Sequence, residues 1–228
     1  MILRRFAHNT VVRISLCLAT LIGVVSIGSL CAGEEVIILD AHKTDALLDW
    51  DKRILSEGSS WQVVDDSGER VIKFRSESSS LSLEKRIVVD LRQTPYLEWV
   101  WKVTVLPKGG DFTSTLTDDQ AGQLLVTFPK TLFERRKVIT YLWDSTVPKG
   151  TMADAPGLPF VNIKAIVVES GESQLGKWVH EKRNLLEDFQ TLFGAPPEHA
   201  IGLRIQLNSQ HTNTVAESFW KTIRFTSE

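Results

Sequence analysis

The chain has 228 residues, 43% hydrophobic and 24% charged, with 14 Gly and 8 Pro, a composition that excludes disordered and collagen-like sequences. Its 26 basic and 28 acidic side chains leave a formal charge of -2. No basic excess exists to neutralise a phosphate backbone, which argues against a nucleic-acid partner.

Residues Ile14 to Gly33 carry no charge and follow Arg4, Arg5 and Arg13, the layout of a secretory signal. Cleavage is expected after Ala32 or Gly33, giving an exported protein, periplasmic or extracellular, whose residues 34–228 form a single domain. Two alternatives stay open. An uncharged segment of this length also suffices to span a bilayer, which takes about 20 apolar residues, so an uncleaved anchor would bring the chain to a membrane. Lipidation at Cys31 is the other, opposed by the bulky Leu30 before it. Cys17 and Cys31 are the only cysteines, so the exported domain has neither a disulfide nor a thiolate nucleophile and depends on its core.

From Val36 onward apolar residues recur with period two in short runs separated by turn residues, the signature of a β-sandwich or barrel. Asp45 to Leu55 is a weak helix candidate. Leu81, Leu83, Ile87 and Val89 share one strand face; Leu97, Trp99, Trp101, Val103 and Val105 share another, ended by Pro107 and Gly109–Gly110. Ile139, Tyr141 and Trp143 alternate with Thr140 and Leu142. Val161 to Val168 is nearly continuous in apolar residues, as in a strand covered on both faces. Leu185 to Phe193 has helical spacing, with Asn184 as its cap and Gly194, Pro196 and Pro197 to stop it.

The two last segments bear on function. Ile201, Leu203, Ile205 and Leu207 are expected to point inward, leaving Arg204, Gln206 and Asn208 outward. In the closing strand, unbroken alternation places Phe219, Ile223 and Phe225 on one side and Trp220, Thr222 and Arg224 on the other. Pairing of these segments as a hairpin would bring Trp220 beside Arg204, Gln206 and Asn208.

Several stretches resemble a known family of exported bacterial proteins, catalogued as domain of unknown function 3047. They are Trp99–Val103 followed by Leu106–Pro107, Asp111 and Asp118–Asp119; Thr140–Trp143; Gly176–Val179 with Glu181, Arg183–Asn184, Asp188–Phe189 and Phe193–Gly194; and the ending Phe219–Phe225. The resemblance runs from about Trp61 to Phe225 and implies a jelly-roll-like antiparallel β-sandwich with one short inserted helix, about 185–193. It brings no activity. This chain departs from the family's pattern in having amides in the turn Asn208–Thr212 where the family is acidic, and Gln123 where the family carries an arginine.

Catalytic motifs are weak. Asp118, Asp119, Glu181, Glu187 and Asp188 are raw material for an acid pair of a glycosidase kind, but Glu181 reads as a solvated charged edge or a salt bridge at the approach to the helix, and Asp188 as the exposed side of the helix. His42, His180, His199 and His211 form no zinc pattern; Gly171–Leu175 fails the nucleophile elbow at Leu175; no phosphate-cradling loop is present. Asp111, Asp118 and Asp119 lie in a Gly- and Thr-rich loop, where they either make ordinary turns or ligate a hard cation, calcium being the candidate. The seven tryptophans are mostly core, and Trp220 is the expected exception. The reading is a non-catalytic domain binding a saccharide or other polar ligand through Trp220, Arg204, Gln206 and Asn208, with Trp178 as a second platform. A glycan-active enzyme using the acidic loop and a structural cell-envelope protein are the alternatives.

Overall fold

A computed structural model describes residues 33–228 apart from 55, 131, 133 and 158; the segment expected to be a secretory signal lies outside the described residues. Among them no helix is long and apolar enough to cross a membrane. Two sheets face each other. The first contains β1 (Glu35–Asp40), β3 (Ser59–Asp66), β4 (Glu69–Glu77), β6 (Tyr96–Val105), β11 (Val179–Asn184) and β13 (Val215–Thr226), in the order β11-β6-β13-β4-β3 with β1 also paired to β13. The second runs β2-β5-β12-β7-β8-β10-β9, from β2 (Asp51–Ile54), β5 (Ser80–Asp90), β12 (His199–Asn208), β7 (Gly122–Thr127), β8 (Arg136–Asp144), β10 (Val161–Ser170) and β9 (Met152–Asp154). The β8–β10 pair is parallel and every other pair is antiparallel. The jelly-roll-like β-sandwich expected from the sequence is the architecture observed.

The expected inward sets form the interior. Leu97, Trp99, Trp101 and Val103 of β6 and Ile139 and Tyr141 of β8 are wholly buried, with Trp143 at 1% exposure. Their rings tie the sheets together: Trp101 lies 5.6 Å from Trp143 and 5.2 Å from Trp220, and Trp99 lies 5.1 Å from Tyr141. Tilted and edge arrangements of this kind add to the area they bury. Gly122 of β7 makes room for this ladder, because a Cβ there would stand 2.8 Å from the Trp101 ring.

The turn-helix at 185–193 follows its sequence signals. In α1 (Leu185–Phe193) the Asn184 side chain accepts from the N–H groups of Leu186 and Glu187 and donates to the Glu187 carboxylate, a reciprocal cap that satisfies orphan donors of the first turn. Gly194, at φ 90°, ends it in a conformation that favours glycine. Leu185 and Phe189 are buried against the core, and Phe189 packs on Phe128 with 4.7 Å between centroids.

Four expectations need correction. Asp45–Leu55 is not a helix: successive turns close through Leu48 N–H to Asp45 O and Trp50 N–H to Leu47 O, which seat Leu47 and Trp50 in the core, and β2 follows. β12 and β13 do not pair, because they belong to different sheets. Trp220 points inward. The β13–β6 ladder shifts register between Trp220, opposite Trp101, and Thr222, opposite Val100, so Lys221 is an extra residue. That bulge resets the two-residue phase, and Trp220, Ile223 and Phe225 are all wholly buried while Phe219 turns to the outer face beside Lys102. A shift between Ala200 and Gly202 has the same effect in β12, where Ala200 takes the core position and Ile201 is left half-buried, although Leu203, Ile205 and Leu207 are inward as expected.

Asp188 is the remaining surprise of the helix. It is 5% exposed and accepts from the Tyr141 hydroxyl at 2.7 Å and from Arg183 Nε at 2.9 Å, with a second Arg183 contact. Burial, then the Asp188 charge, holds the Tyr141 hydroxyl well above its ordinary pKa. The helical spacing placed Asp188 outward only because its partners, Arg183 on β11 and Tyr141 on β8 of the other sheet, are invisible along α1 itself.

Candidate functional site

Strand register builds the outer face of the second sheet in rungs. Glu84, Arg204, Leu125 and Thr140 stand opposite one another in successive strands, flanked by the rung of Ser82, Gln206, Gln123 and Leu142 and by that of Gly202, Thr127, Val138 and Ile163. The β6–β7 loop folds over one side of this face, where Phe112 packs with Leu142, Ala165 and Val167. Buried Asp144 pins it there by accepting from the Phe112, Thr146 and Val147 N–H groups. The residues following β9 form the opposing wall.

Two adjoining cavities result, sharing Leu125, Ile163 and Arg204. The larger, about 480 Å³, is lined by Leu125, Val138, Ile163 and the 63%-exposed Phe160, with Lys130, Arg136, Arg204 and Glu84 among its polar walls. The smaller, about 120 Å³, has Asp118, Gln120, Gln123, Thr140 and Gln206 around it. Arg204 is fixed by Glu84 at 2.9 Å. Burial pushes the Asp118 carboxyl up to about 6, against the Gln120 amide that donates to it at 3.2 Å. Thr140 is 3% exposed, and its hydroxyl has no hydrogen-bond partner among the described residues.

The structure separates the residues that the sequence suggested for binding. Arg204 and Gln206 line the cleft. Asn208 is buried beneath it, where its oxygen accepts from Gln123 Nε2 and the Gln120 N–H and its amide donates to the Asp118 carbonyl, so it positions the cleft wall. Trp220 is in the core and presents no surface. Trp178 stands over the other sheet, donating to Asp66 at 3.0 Å between Lys102 and Lys221, whose ammonium groups lie 4.8 and 4.1 Å from its ring. The platform of Trp220 with Trp178 is therefore not formed.

The three loop acids do not converge either. Asp111 accepts from the Thr113 N–H and hydroxyl, an Asx turn. Asp119, wholly buried, accepts from the His211 and Thr212 N–H groups and the Thr212 hydroxyl, tying this loop to the turn before β13. Among the described residues no group of three or more His, Cys, Asp or Glu is placed to hold a metal ion, and the carboxylates of Asp111 and Asp119 are each engaged by backbone N–H groups.

Glu181 is turned inward instead of lying on a solvated edge, because it pairs opposite Trp99 on the core side of β11. Burial pushes its carboxyl up to about 7, and Glu169, clamped by Lys149 at 2.5 Å, pushes the same way. Gln123, Leu125, Val138 and Thr140 were overlooked as site residues. Their signal was present as the complement of the inward set Leu124, Val126, Ile139 and Tyr141, but only strand order places them beside Arg204 and Gln206.

Solved structures of similar shape include the family 30 carbohydrate-binding module of the cellulosomal cellulase Cel9D-Cel44B of Clostridium thermocellum, at 14% identity and a TM-score of 0.45, covering 86% of this chain and 98% of that one. The family 11 carbohydrate-binding module of Lic26A-Cel5E of Clostridium thermocellum is similar at 8% identity and a TM-score of 0.44, covering 85% and 95%. Endoglucanase Cel12A from Rhodothermus marinus is similar at 9% identity and a TM-score of 0.43, covering 84% and 99%. No curated protein matches the sequence. The model of the family described as "Protein of unknown function (DUF3047)" matches residues 49–224, and the chain belongs to that family.

Proposed function

We propose that this chain is an exported, non-catalytic binding domain that takes a saccharide into the cleft on the outer face of the second sheet. The observation that carries the reading is the buried Thr140 hydroxyl, left without a partner on the wall of a cavity that also holds Gln123, Gln206 and Asp118. A buried polar group without a partner costs about 1–3 kcal/mol, and a rotamer change that turns this hydroxyl toward the cavity lets a ligand hydroxyl supply the missing bond. Amides and a carboxyl give a sugar both donors and acceptors, while Leu125, Val138, Ile163 and Phe160 offer apolar surface to its C–H face. Export rests on the uncharged Ile14–Gly33 segment behind its three arginines.

The test is a glycan array on the full chain, followed by titration calorimetry with whichever oligosaccharide binds. Gln206→Ala is expected to weaken binding about tenfold, the loss of one well-made hydrogen bond. Thr140→Val is expected to weaken it comparably while leaving the melting temperature unchanged or raised, because it removes an unsatisfied hydroxyl. Absence of any saccharide binding, or affinities unchanged in both variants, would refute the reading.

A further inference from the structure

Resting on that reading, we infer that the saccharide is an acidic one, with a uronic-acid carboxylate held by Arg136 and Lys130 at the end of the cleft away from Asp118. The larger cavity is lined by Lys130, Arg136 and Arg204 against a single carboxylate, Glu84, and that carboxylate is already paired with Arg204 at 2.9 Å. Among the described residues no acid lies within ion-pair distance of Arg136 or Lys130, whereas Arg204 beside them is paired with Glu84. Two cations thus face the cleft uncompensated.

Their surroundings sharpen the case. Val138, Val161 and Ile163 stand beside them in the same wall, and an apolar wall weakens screening, so an ion pair formed there is stronger than one in open water. A guanidinium also matches a carboxylate with two parallel hydrogen bonds. The Arg136 N–H donates to the Phe160 carbonyl at 3.1 Å, so the cation and the one large exposed aromatic residue of the cleft arrive at the same end, suiting a charged pyranose ring. The far cavity has the opposite character. Asp118, ionised for the most part at neutral pH, repels an acid there, while Gln123, Thr140 and Gln206 suit a neutral ring.

The inference is tested by calorimetry on the full chain with tetramers of galacturonate, glucuronate and mannuronate, a neutral glucose tetramer, inorganic sulfate and a single-stranded oligonucleotide. One uronate tetramer is expected to bind at least tenfold more tightly than the neutral tetramer at 50 mM salt, with the advantage shrinking at 500 mM as charges are screened. Arg136→Gln should abolish that advantage, whereas Lys108→Gln, the same charge change at an exposed residue that lines neither cavity, should retain it. Equal binding of acidic and neutral tetramers, weakened in both by Thr140→Val, would overturn this inference and leave the saccharide reading standing. Failure of every tetramer to bind would overturn both, and tighter binding of sulfate or the oligonucleotide than of any uronate would overturn the acidic-saccharide assignment.

Discussion

Trp220→Ala is expected to destabilise the protein by about 3–5 kcal/mol, the range for emptying a large aromatic from a packed core. The side chain is wholly buried, 5.2 Å from Trp101, which carries the aromatic ladder on to Trp143 of the other sheet. Few neighbours can collapse into the space, since Trp101 is itself wedged against Gly122. Urea unfolding followed by tryptophan fluorescence measures the loss. A change below about 1 kcal/mol would place Trp220 on the surface, as unbroken alternation along β13 suggested, and would contradict the bulge at Lys221.

The second large effect is expected at Asp188. Asp188→Ala should cost about 3–5 kcal/mol, because breaking a buried ion pair leaves the remaining charge uncompensated. Two groups are stranded at once: Arg183, which holds the carboxylate through Nε at 2.9 Å, and the wholly buried Tyr141 hydroxyl, which donates to it at 2.7 Å. Asp188→Asn keeps the shape and an acceptor, so its loss should be smaller. The Arg183→Met, Asp188→Leu double variant removes both charges and should recover much of the stability lost by Asp188→Ala. Chemical denaturation of the three variants checks this, and an Asp188→Ala protein as stable as the parent would contradict the assigned network.

These two residues mark where the sequence is legible and where it is not. Period-two alternation identified the inward sets of β6, β8 and most of β12, and the cap and stop residues bounded α1 at both ends, because such signals act within a few residues of chain. A bulge is a property of two strands together. Nothing within Phe219–Phe225 announces that Lys221 is an extra residue, so the phase of Trp220 was inverted while Ile223 and Phe225 were placed correctly. Asp188 was misplaced for the same reason, since its partners Arg183 and Tyr141 come from the strand before the helix and from the opposite sheet.

The candidate site divides in the same way. Arg204 and Gln206 were legible as the outward members of an alternating strand, and they line the cleft. Gln123 and Leu125 on β7 and Thr140 and Val138 on β8 reach Arg204 and Gln206 only through the sheet order β12-β7-β8, which alternation alone does not encode. Composition left the acidic loop open between ordinary turns and a cation site; the Asp111 and Asp119 carboxylates accept from backbone N–H groups and Asp118 from the Gln120 amide. A short polar loop organises itself first, and only the donors left over are free for a ligand.

Amide chemical-shift mapping of the full chain titrated with a binding oligosaccharide locates the ligand most directly. The largest shifts are expected along Gln123–Thr127, Val138–Thr140 and Arg204–Gln206, the strand segments whose alternate side chains line the cleft. Shifts concentrated instead around Lys102, Trp178 and Lys221, on the outer face of the other sheet, would contradict a ligand in the cleft.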